Sequence, residues 1–319
     1  MSSALRIAAF AGCAALLPAG SAHAQAWVGM QNDLSLTLDY NFSWSDYIVS
    51  AGEARNDFKS VEEKIHNQSF ILGGEYTILD NWAVNASVPI VSSRYLGDGS
   101  VLQLHGRYDD GSYHTVLQDF GLRTRYQVLD TMLGMSANLA FSPHIGVSVP
   151  MTEYETNGYA GAGRGLMGVD LGGSVGAFLL SGLPGLYLHG SYSYTIRERY
   201  ETEIDLTSEV NQNSHQINAL VGYFIGHRLE VHGAMDLRLA VDGYDYRDVE
   251  SIAGRGPRPD VLLNYHDPLL AEDYLLFGGG ASYNVTDTIG VSSYFRLWAW
   301  GNNTRNAHMV GLGVNWKPL

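Results

Sequence analysis

The chain has 319 residues, with 19 lysines and arginines against 33 aspartates and glutamates, and its formal net charge at pH 7 is −14. An acidic balance of this size argues against nucleic acid and against an anionic membrane surface as partners. Cys13 is the only cysteine. If Cys13 is removed with an amino-terminal signal peptide, the mature chain can form no disulfide, no thiolate metal site and no cysteine nucleophile.

Residues 1–24 have the features of a secretory signal peptide. Arg6 provides a positive charge, a short apolar stretch follows, and Ala22-His23-Ala24 forms an A-x-A cleavage site. We therefore expect the mature chain to begin at Gln25 and to form one domain over residues 25–319. Loss of Arg6 leaves a formal net charge of −15, from 18 basic and 33 acidic residues. No later segment has the roughly 18 consecutive apolar residues that a transmembrane helix needs.

Residues 33–44 alternate between apolar and polar positions, which is the pattern of a β-strand with one apolar face. The apolar positions are Leu34, Leu36, Leu38, Tyr40, Phe42 and Trp44. Eleven further segments alternate in the same way, at residues 69–79, 82–90, 119–129, 136–149, 168–180, 186–197, 215–225, 229–241, 275–285, 289–300 and 309–316. About twelve strands are therefore predicted.

The connections between these segments alternate between very short turns and longer polar loops, as outer-membrane barrels do. A β-sandwich does not confine its long loops to alternate connections, and a soluble barrel turns its apolar residues inwards. The predicted fold class is all-β, a single closed antiparallel transmembrane β-barrel of about twelve strands with short periplasmic turns and longer outer loops. Because lipid cannot satisfy an open sheet edge, the last strand is expected to pair with the first. We expect a turn near Asp130.

Large aromatic residues of the apolar face lie close to the short turns or to the carboxyl terminus. In an antiparallel barrel these positions are all at one end, so the residues form a ring at one height. Such a ring is typical of the aromatic girdle at a membrane interface. The predicted girdle residues are Tyr76, Trp82, Tyr126, Tyr223, Tyr283 and Trp316.

Short motifs carry a family resemblance, in "SVPIV", "QDFGLRTRYQVLD", "HIGVSVPMTEYETNGYAGAG" and "LGGSVGAF". The chain resembles the outer-membrane β-barrels grouped under the meta-pathway of phenol degradation, a transporter-like family. Val88-Pro89 matches that family's Val-Pro strand end, Asp119-Phe120-Gly121 is a displaced form of its Gly-Asp-Leu, and Val149-Pro150-Met151-Thr152 replaces its Leu-Pro-Thr-Gly. The resemblance implies a barrel and the passage of small organic molecules, and it carries over no catalytic residue.

The polar face carries charged residues that should line the lumen. The selectivity candidates are Arg123, Arg125, Asp236, Arg238, Arg296 and Asp119. They form either a charged constriction that selects solutes or a set of salt bridges that fills a narrow barrel. We expect Arg123, Arg238 and Arg296 to face one another across water, partly balanced by the two aspartates, which would favour anions.

Aromatic residues are also expected inside. The lumen candidates are Phe178, Tyr187, Phe224 and Trp298, with Tyr294 and Trp300 on the same face. They form either a stacking surface for aromatic solutes or ordinary space filling. The glycine-rich residues 158–163 lack the lysine of a phosphate loop and are expected to form a flexible outer loop.

No catalytic residue, metal site or cofactor is predicted. Ser142 and His144 share a face but point into the lumen, where a lipid hydrolase would not place them. His105, His114 and residues 265–268 match no metal-ligand spacing. The function predicted is an outer-membrane channel or transporter for small organic solutes, aromatic or anionic, in a Gram-negative bacterium. A filled structural barrel and an outer-membrane hydrolase are the alternatives. The implied partners are outer-membrane lipid, the barrel-assembly machinery and the solutes.

Overall fold

The computed structural model of the chain describes residues 26–46, 48–50, 53–55, 64–96, 108–133, 137–156, 158–199, 211–245 and 269–318. The predicted signal peptide and its cleavage site lie outside these residues, so they stay a prediction. Within the described ranges, no helix has the length and apolarity needed to cross a bilayer.

Twelve antiparallel strands form one closed barrel, which confirms the predicted fold class. Their bounds are β1 (Leu34–Ser45), β2 (Lys64–Leu79), β3 (Trp82–Leu96), β4 (three segments, His114–Leu117, Asp119–Tyr126 and Leu129–Leu133), β5 (Ala137–Pro150), β6 (Gly168–Leu179), β7 (Leu186–Arg197), β8 (Ser214–Ile225), β9 (Leu229–Ala240), β10 (Asp273–Asn284), β11 (Ile289–Asn302) and β12 (His308–Trp316).

The first and last strands close the ring. β12 pairs with β11 on one side and with β1 on the other, where Leu36 lies opposite Trp316 and Trp44 lies opposite His308. Each strand of the ring therefore has a partner on both sides. This arrangement satisfies the backbone hydrogen bonds within the sheet, as a structure surrounded by lipid requires.

The two ends of the barrel differ in their connections. At one end, the turn end, short connections join the strands, such as residues 80–81 between β2 and β3 and residues 226–228 between β8 and β9. At the other, the loop end, most connections are longer, such as residues 151–167 between β5 and β6. The short connection 303–307 is an exception at the loop end. It contributes Thr304–Arg305 to a small sheet with Ile48–Ser50 and Glu53–Arg55.

Side chains alternate between an apolar exterior and a polar interior. Leu38 is 50% exposed on the outer surface, whereas its neighbour Asp39 is 3% exposed inside the barrel. Leu72, Val175 and Leu312 are likewise more than half exposed. This inside-out distribution is expected of a barrel that stands in lipid and surrounds a polar lumen.

Two local predictions about the strands are wrong. The chain does not turn near Asp130, because Leu129–Leu133 continues as a strand and pairs with β5. Trp300 does not face the lumen but is 45% exposed on the outside. The register between β10 and β11 shifts at Leu275/Leu276, and this one-residue irregularity reverses the alternation beyond Trp298.

Candidate functional site: the barrel lumen

Arginines of the lumen reach acids on the next strand but one. Arg123 on β4 lies 3.7 Å from Asp170 on β6, and Arg125 on β4 lies 2.6 Å from Glu75 on β2. Gly146 on β5 stands opposite both Arg123 and Asp170. A Cβ atom there would lie 3.4 Å from Arg123 Nε. The missing side chain therefore lets the guanidinium lie along the wall and cross β5.

A third pair of this kind lies across β10. Arg296 Nε on β11 is 2.6 Å from Asp236 Oδ2 on β9, and Gly278 stands opposite Arg296 on the strand between them. Asn218 donates a hydrogen bond of 2.7 Å to the other carboxylate oxygen of Asp236. Arg296 is fully buried. Two buried charges are thus compensated by each other and by a neighbouring amide.

Glu272 holds two further arginines near the loop end. Arg164 donates to Glu272 Oε2 at 3.0 Å, and Thr304 donates to Oε1 at 2.9 Å. Arg238 Nε donates to the backbone oxygen of Glu272 at 3.2 Å and lies 4.0 Å from its carboxylate. Glu272 and Arg164 are in loops and Thr304 is in a two-residue strand, where strand alternation gives no sign of which residues face inwards.

The expectation that Arg123, Arg238 and Arg296 face one another across water is therefore wrong. Each has a carboxylate within 4.0 Å. Alternation predicts which face a residue occupies, but it does not give the register that brings an arginine beside an acid two strands away. The selectivity candidates do share the lumen. Five of them stand in ion pairs along its wall, and Asp119 accepts a hydrogen bond from Tyr154.

The loop between β5 and β6, described over residues 151–156 and 158–167, folds into the barrel. Tyr154 donates a hydrogen bond to Asp119, and the amide of Gly165 donates to the Tyr154 oxygen at 3.0 Å. Burial, followed by the neighbouring Asp119, raises the pKa of Tyr154. Ala160 and Ala162 are completely buried. The expected flexible outer loop is thus packed and bonded at both its flanks.

Asp109 fixes the centre of this loop. Its two carboxylate oxygens accept hydrogen bonds from the amides of Tyr159 and Ala160, at 2.8 and 2.7 Å. The ring of Tyr159 lies 4.9 Å from that of Tyr95 on β3, measured between centroids. Gln118 donates to the backbone oxygen of Ala162. A Cβ atom at Gly163 would lie 2.9 Å from Gln118 Nε2, so glycine allows the close approach there.

The segment before β1 enters the lumen at the turn end. Trp27 Nε1 donates to Asn138 on β5 at 2.8 Å, and the amide of Val28 donates to Gln127 at 2.6 Å. Ser142 on β5 donates to the backbone oxygen of Ala26 at 2.7 Å. The Ser142 hydroxyl is thus bonded to the backbone of this segment.

The inward aromatic candidates fall into two groups. Near the turn end, the ring of Phe224 lies 5.9 Å from Phe178 and 5.4 Å from Tyr187. Tyr187 also donates to Glu230, whose carboxylate lies 2.9 Å from His232 Nδ1. Trp298 packs against a second cluster further along the lumen, formed by Tyr274, Leu276, Tyr294 and Met309.

All six predicted girdle residues are exposed on the outside of the barrel near the turn end. Tyr76, for example, lies opposite Leu34, and Trp82 lies opposite Tyr126. A second group of outward aromatic rings, which was not recognised as a ring from the sequence, lies towards the loop end. There Trp44 and His308 have ring centroids 5.6 Å apart. Alternation placed Trp44 outside, but its height requires the register with β12.

Among the described residues, no group of three or more histidine, aspartate, glutamate or cysteine side chains is arranged to hold a metal ion. His114 lies 2.8 Å from Asp110 and stacks on Tyr108. Hydrogen bonds from Ser112 and His114 lower the pKa of Asp110 to about 2. His105 and residues 265–268 lie outside the described ranges.

No family model and no curated protein matches the chain. Among solved structures, the COG4313 outer membrane channel from Pseudomonas putida F1 is similar, with a TM-score of 0.68 and 11% identity over 92% of this chain and 98% of that chain. Two further barrels are less similar. The NanC porin has a TM-score of 0.48 and 11% identity over 89% of this chain and 100% of that chain. The β domain of the Bordetella autotransporter Brka has a TM-score of 0.48 and 9% identity over 90% of this chain and 100% of that chain.

At this identity, the likeness to the COG4313 channel establishes the fold alone. The chain has the fold of an outer-membrane β-barrel, in agreement with the coarser part of the resemblance drawn from its sequence motifs. Membership of the phenol-degradation family stays a prediction.

Proposed function

We propose that the protein is a channel of the Gram-negative outer membrane for passive passage of small organic solutes, aromatic or anionic. The observation that carries this proposal is the position of arginines in an acidic chain: Arg123, Arg125, Arg238 and Arg296 all face the lumen. Each is paired with an acid. Arg123, whose side chain is 13% exposed, is the most accessible of the four, and an incoming carboxylate can exchange there with the acid as partner. Such exchange is how charged residues in a pore select ions.

The aromatic preference rests on the two inward clusters. Phe178, Tyr187 and Phe224 present ring surface inside the lumen near the turn end, and Trp298 does so further along. Aromatic walls with a few charged groups are the usual lining of a site for a partly apolar ligand. A solute with one anionic end and one aromatic end suits both features.

A filled structural barrel is the second candidate, and a specific observation favours it. Arg164, Arg238 and Arg296 are each at most 2% exposed. The loop 151–167 and the segment before β1 also occupy the two ends of the lumen. A barrel filled in this way would act as a scaffold or an interaction partner.

Conductance separates the two candidates. The mature chain, folded and inserted in planar bilayers, is expected to give discrete conductance steps and an anion-selective reversal potential in a KCl gradient. Arg296→Gln is expected to reduce that selectivity, because it removes a lumen cation. Lys64→Gln is the matched control, since Lys64 is exposed at the loop end. A folded, inserted protein without conductance would contradict the channel and support the filled barrel.

We also infer that residues 1–24 are removed on export, that the barrel-assembly machinery inserts the chain, and that the protein has no enzymatic activity. Amino-terminal sequencing of the purified protein should begin at Gln25. Folded protein in detergent should not hydrolyse ester substrates above the rate of a heat-denatured sample. Measurable turnover that depends on Ser142 would instead support the hydrolase alternative.

A further inference from the structure

A cavity of ≈ 440 Å³ lies at the turn end of the barrel. It is formed by the β8–β9 turn, the β10–β11 turn and the end of β12, and we call it the turn-end cavity. Asn284, Gly290 and Asn315 contribute to its lining. Strand alternation turns these three positions towards the lumen, so the cavity lies at the lumen's mouth.

Two cations line this cavity, Arg228 and Lys317. Among the described residues, no carboxylate lies within ion-pair distance of either side chain, although Asp287 also contributes to the lining. The arginines deeper in the lumen differ in this respect, because Arg125 and Arg296 each lie 2.6 Å from an acid. The turn-end cavity therefore has cationic groups that no close anion of the described chain compensates.

The surroundings of Lys317 add to this contrast. Burial lowers the pKa of Lys317, while the more distant charges of Asp33 and Glu75 raise it. A partly buried ammonium without a close partner gains from an anion that reaches it.

We infer that the turn-end cavity binds a small hydrophilic anion, with its carboxylate or phosphate oxygens held by Arg228 and Lys317. The amide groups of Asn284 and Asn315 and the hydroxyl of Thr288 supply neutral polar contacts. Ile289 is the one large apolar side chain among the described residues that line the cavity, so the lining suits a polar ligand better than an aromatic ring. Binding of the anion does not depend on the proposed channel function. Only the role of the site rests on that function, and this role is to receive an anionic solute as it leaves the lumen.

Lysine methyl signals test the inference directly. The chain has three lysines, Lys59, Lys64 and Lys317, so reductive ¹³C-methylation of the folded protein gives a simple NMR spectrum and keeps the positive charges. Lys317→Gln assigns its signal. In phospholipid-free detergent, sodium acetate or inorganic phosphate should shift the Lys317 signal saturably and leave the Lys64 signal in place. Arg228→Gln should weaken binding about tenfold, as expected for loss of one charge-assisted contact.

The outcomes distinguish a free anion from a lipid phosphate, and they test the turn-end site separately from the channel. No saturable shift of Lys317, or an unchanged affinity in Arg228→Gln, overturns the site. A shift with phosphatidylglycerol in bicelles but with neither free anion overturns a soluble ligand and assigns the cavity to a lipid phosphate. Because the NMR measurement needs no conductance, a shift in a non-conducting protein keeps the site and contradicts only the channel. Conductance without a shift of the Lys317 signal keeps the channel and contradicts only the site.

Discussion

Asp236 and Arg296 illustrate how single residues of the lumen depend on one another. Replacing Asp236 with alanine leaves the fully buried Arg296 guanidinium without its 2.6 Å partner. An uncompensated buried charge costs about 3–5 kcal/mol, so Asp236→Ala should lower the free energy of unfolding by that amount. Asp46→Ala is the control, because its pair with Lys64 is exposed, at 3.6 Å, and such pairs contribute about 0–1 kcal/mol.

Unfolding in urea, followed by tryptophan fluorescence in lipid vesicles, measures both variants. Equal losses in Asp236→Ala and Asp46→Ala would show that the lumen pair is solvated like a surface pair. A variant that replaces both Asp236 and Arg296 with apolar residues should recover part of the loss, because no charge is then left unpaired.

Lys317 should titrate below the ordinary range of a lysine, because burial disfavours its charged form. Asp33→Asn should lower the pKa further, since it removes a charge that raises it. A folded-state pKa below the unfolded value means that folding becomes more favourable as pH rises through the window between the two. The ¹³C-methyl shift of Lys317 against pH measures the pKa. A rise in Asp33→Asn would contradict this electrostatic account.

Among the elements, the strands were predictable from sequence and the loops were not. Period-two alternation follows directly from strand geometry, so Leu38 and Asp39 could be assigned to opposite faces without a structure. Trp300 was misassigned because a one-residue register shift leaves no mark in the pattern. The inward loop was missed because its contacts, such as Asp109 with Tyr159, join residues far apart in the chain. Ion pairs across a strand were missed for the same reason.

The inward loop 151–167 should loosen when Asp109 loses its carboxylate. Asp109→Ala removes the acceptor for the amides of Tyr159 and Ala160, and these two amides should then exchange faster with deuterium. Asp110→Ala is the matched control, because Asp110 is largely exposed and bonds Ser112 and His114 instead. Hydrogen exchange with mass spectrometry measures peptides that cover residues 151–167. Equal protection in the two variants would mean that other contacts hold the loop.

The outer face of β1 should tolerate a charge at its turn end but not at mid-height. Leu38→Arg should oppose insertion by about 2–4 kcal/mol if it lies near the centre of the bilayer, and Leu34→Arg by about 0–1 kcal/mol near the interface. Leu34 and Leu38 point outwards on the same strand and differ mainly in height. Refolding into vesicles, scored by the gel shift between unheated and boiled samples, measures the difference. Similar losses at the two positions would show that this face is not surrounded by lipid.

At the scale of the whole molecule, a stable barrel should require that β12 close the ring between β1 and β11. Truncation after Ala307 removes β12 and leaves β1 and β11 with open edges, which lipid cannot satisfy. The truncated chain should aggregate and lose the gel shift of a folded barrel. Removal of residues 318–319 alone is the control, because they follow the last strand. A truncated chain that still inserts and resists detergent would contradict the closed ring.

The segment before β1 bears on the order in which this cylinder is built. Ala26 and Trp27 are bonded to β5 on the inside of the ring, yet β1, which follows them directly, is one of the two strands at the seam. A segment threaded into a finished cylinder would have to pass the packed side chains of its mouth. We therefore expect the hairpin of β4 and β5 to bind this segment while the sheet is still open. We expect the seam to form last, because it joins positions 280 residues apart, such as Ser35 and Asn315, and such distant contacts form slowly.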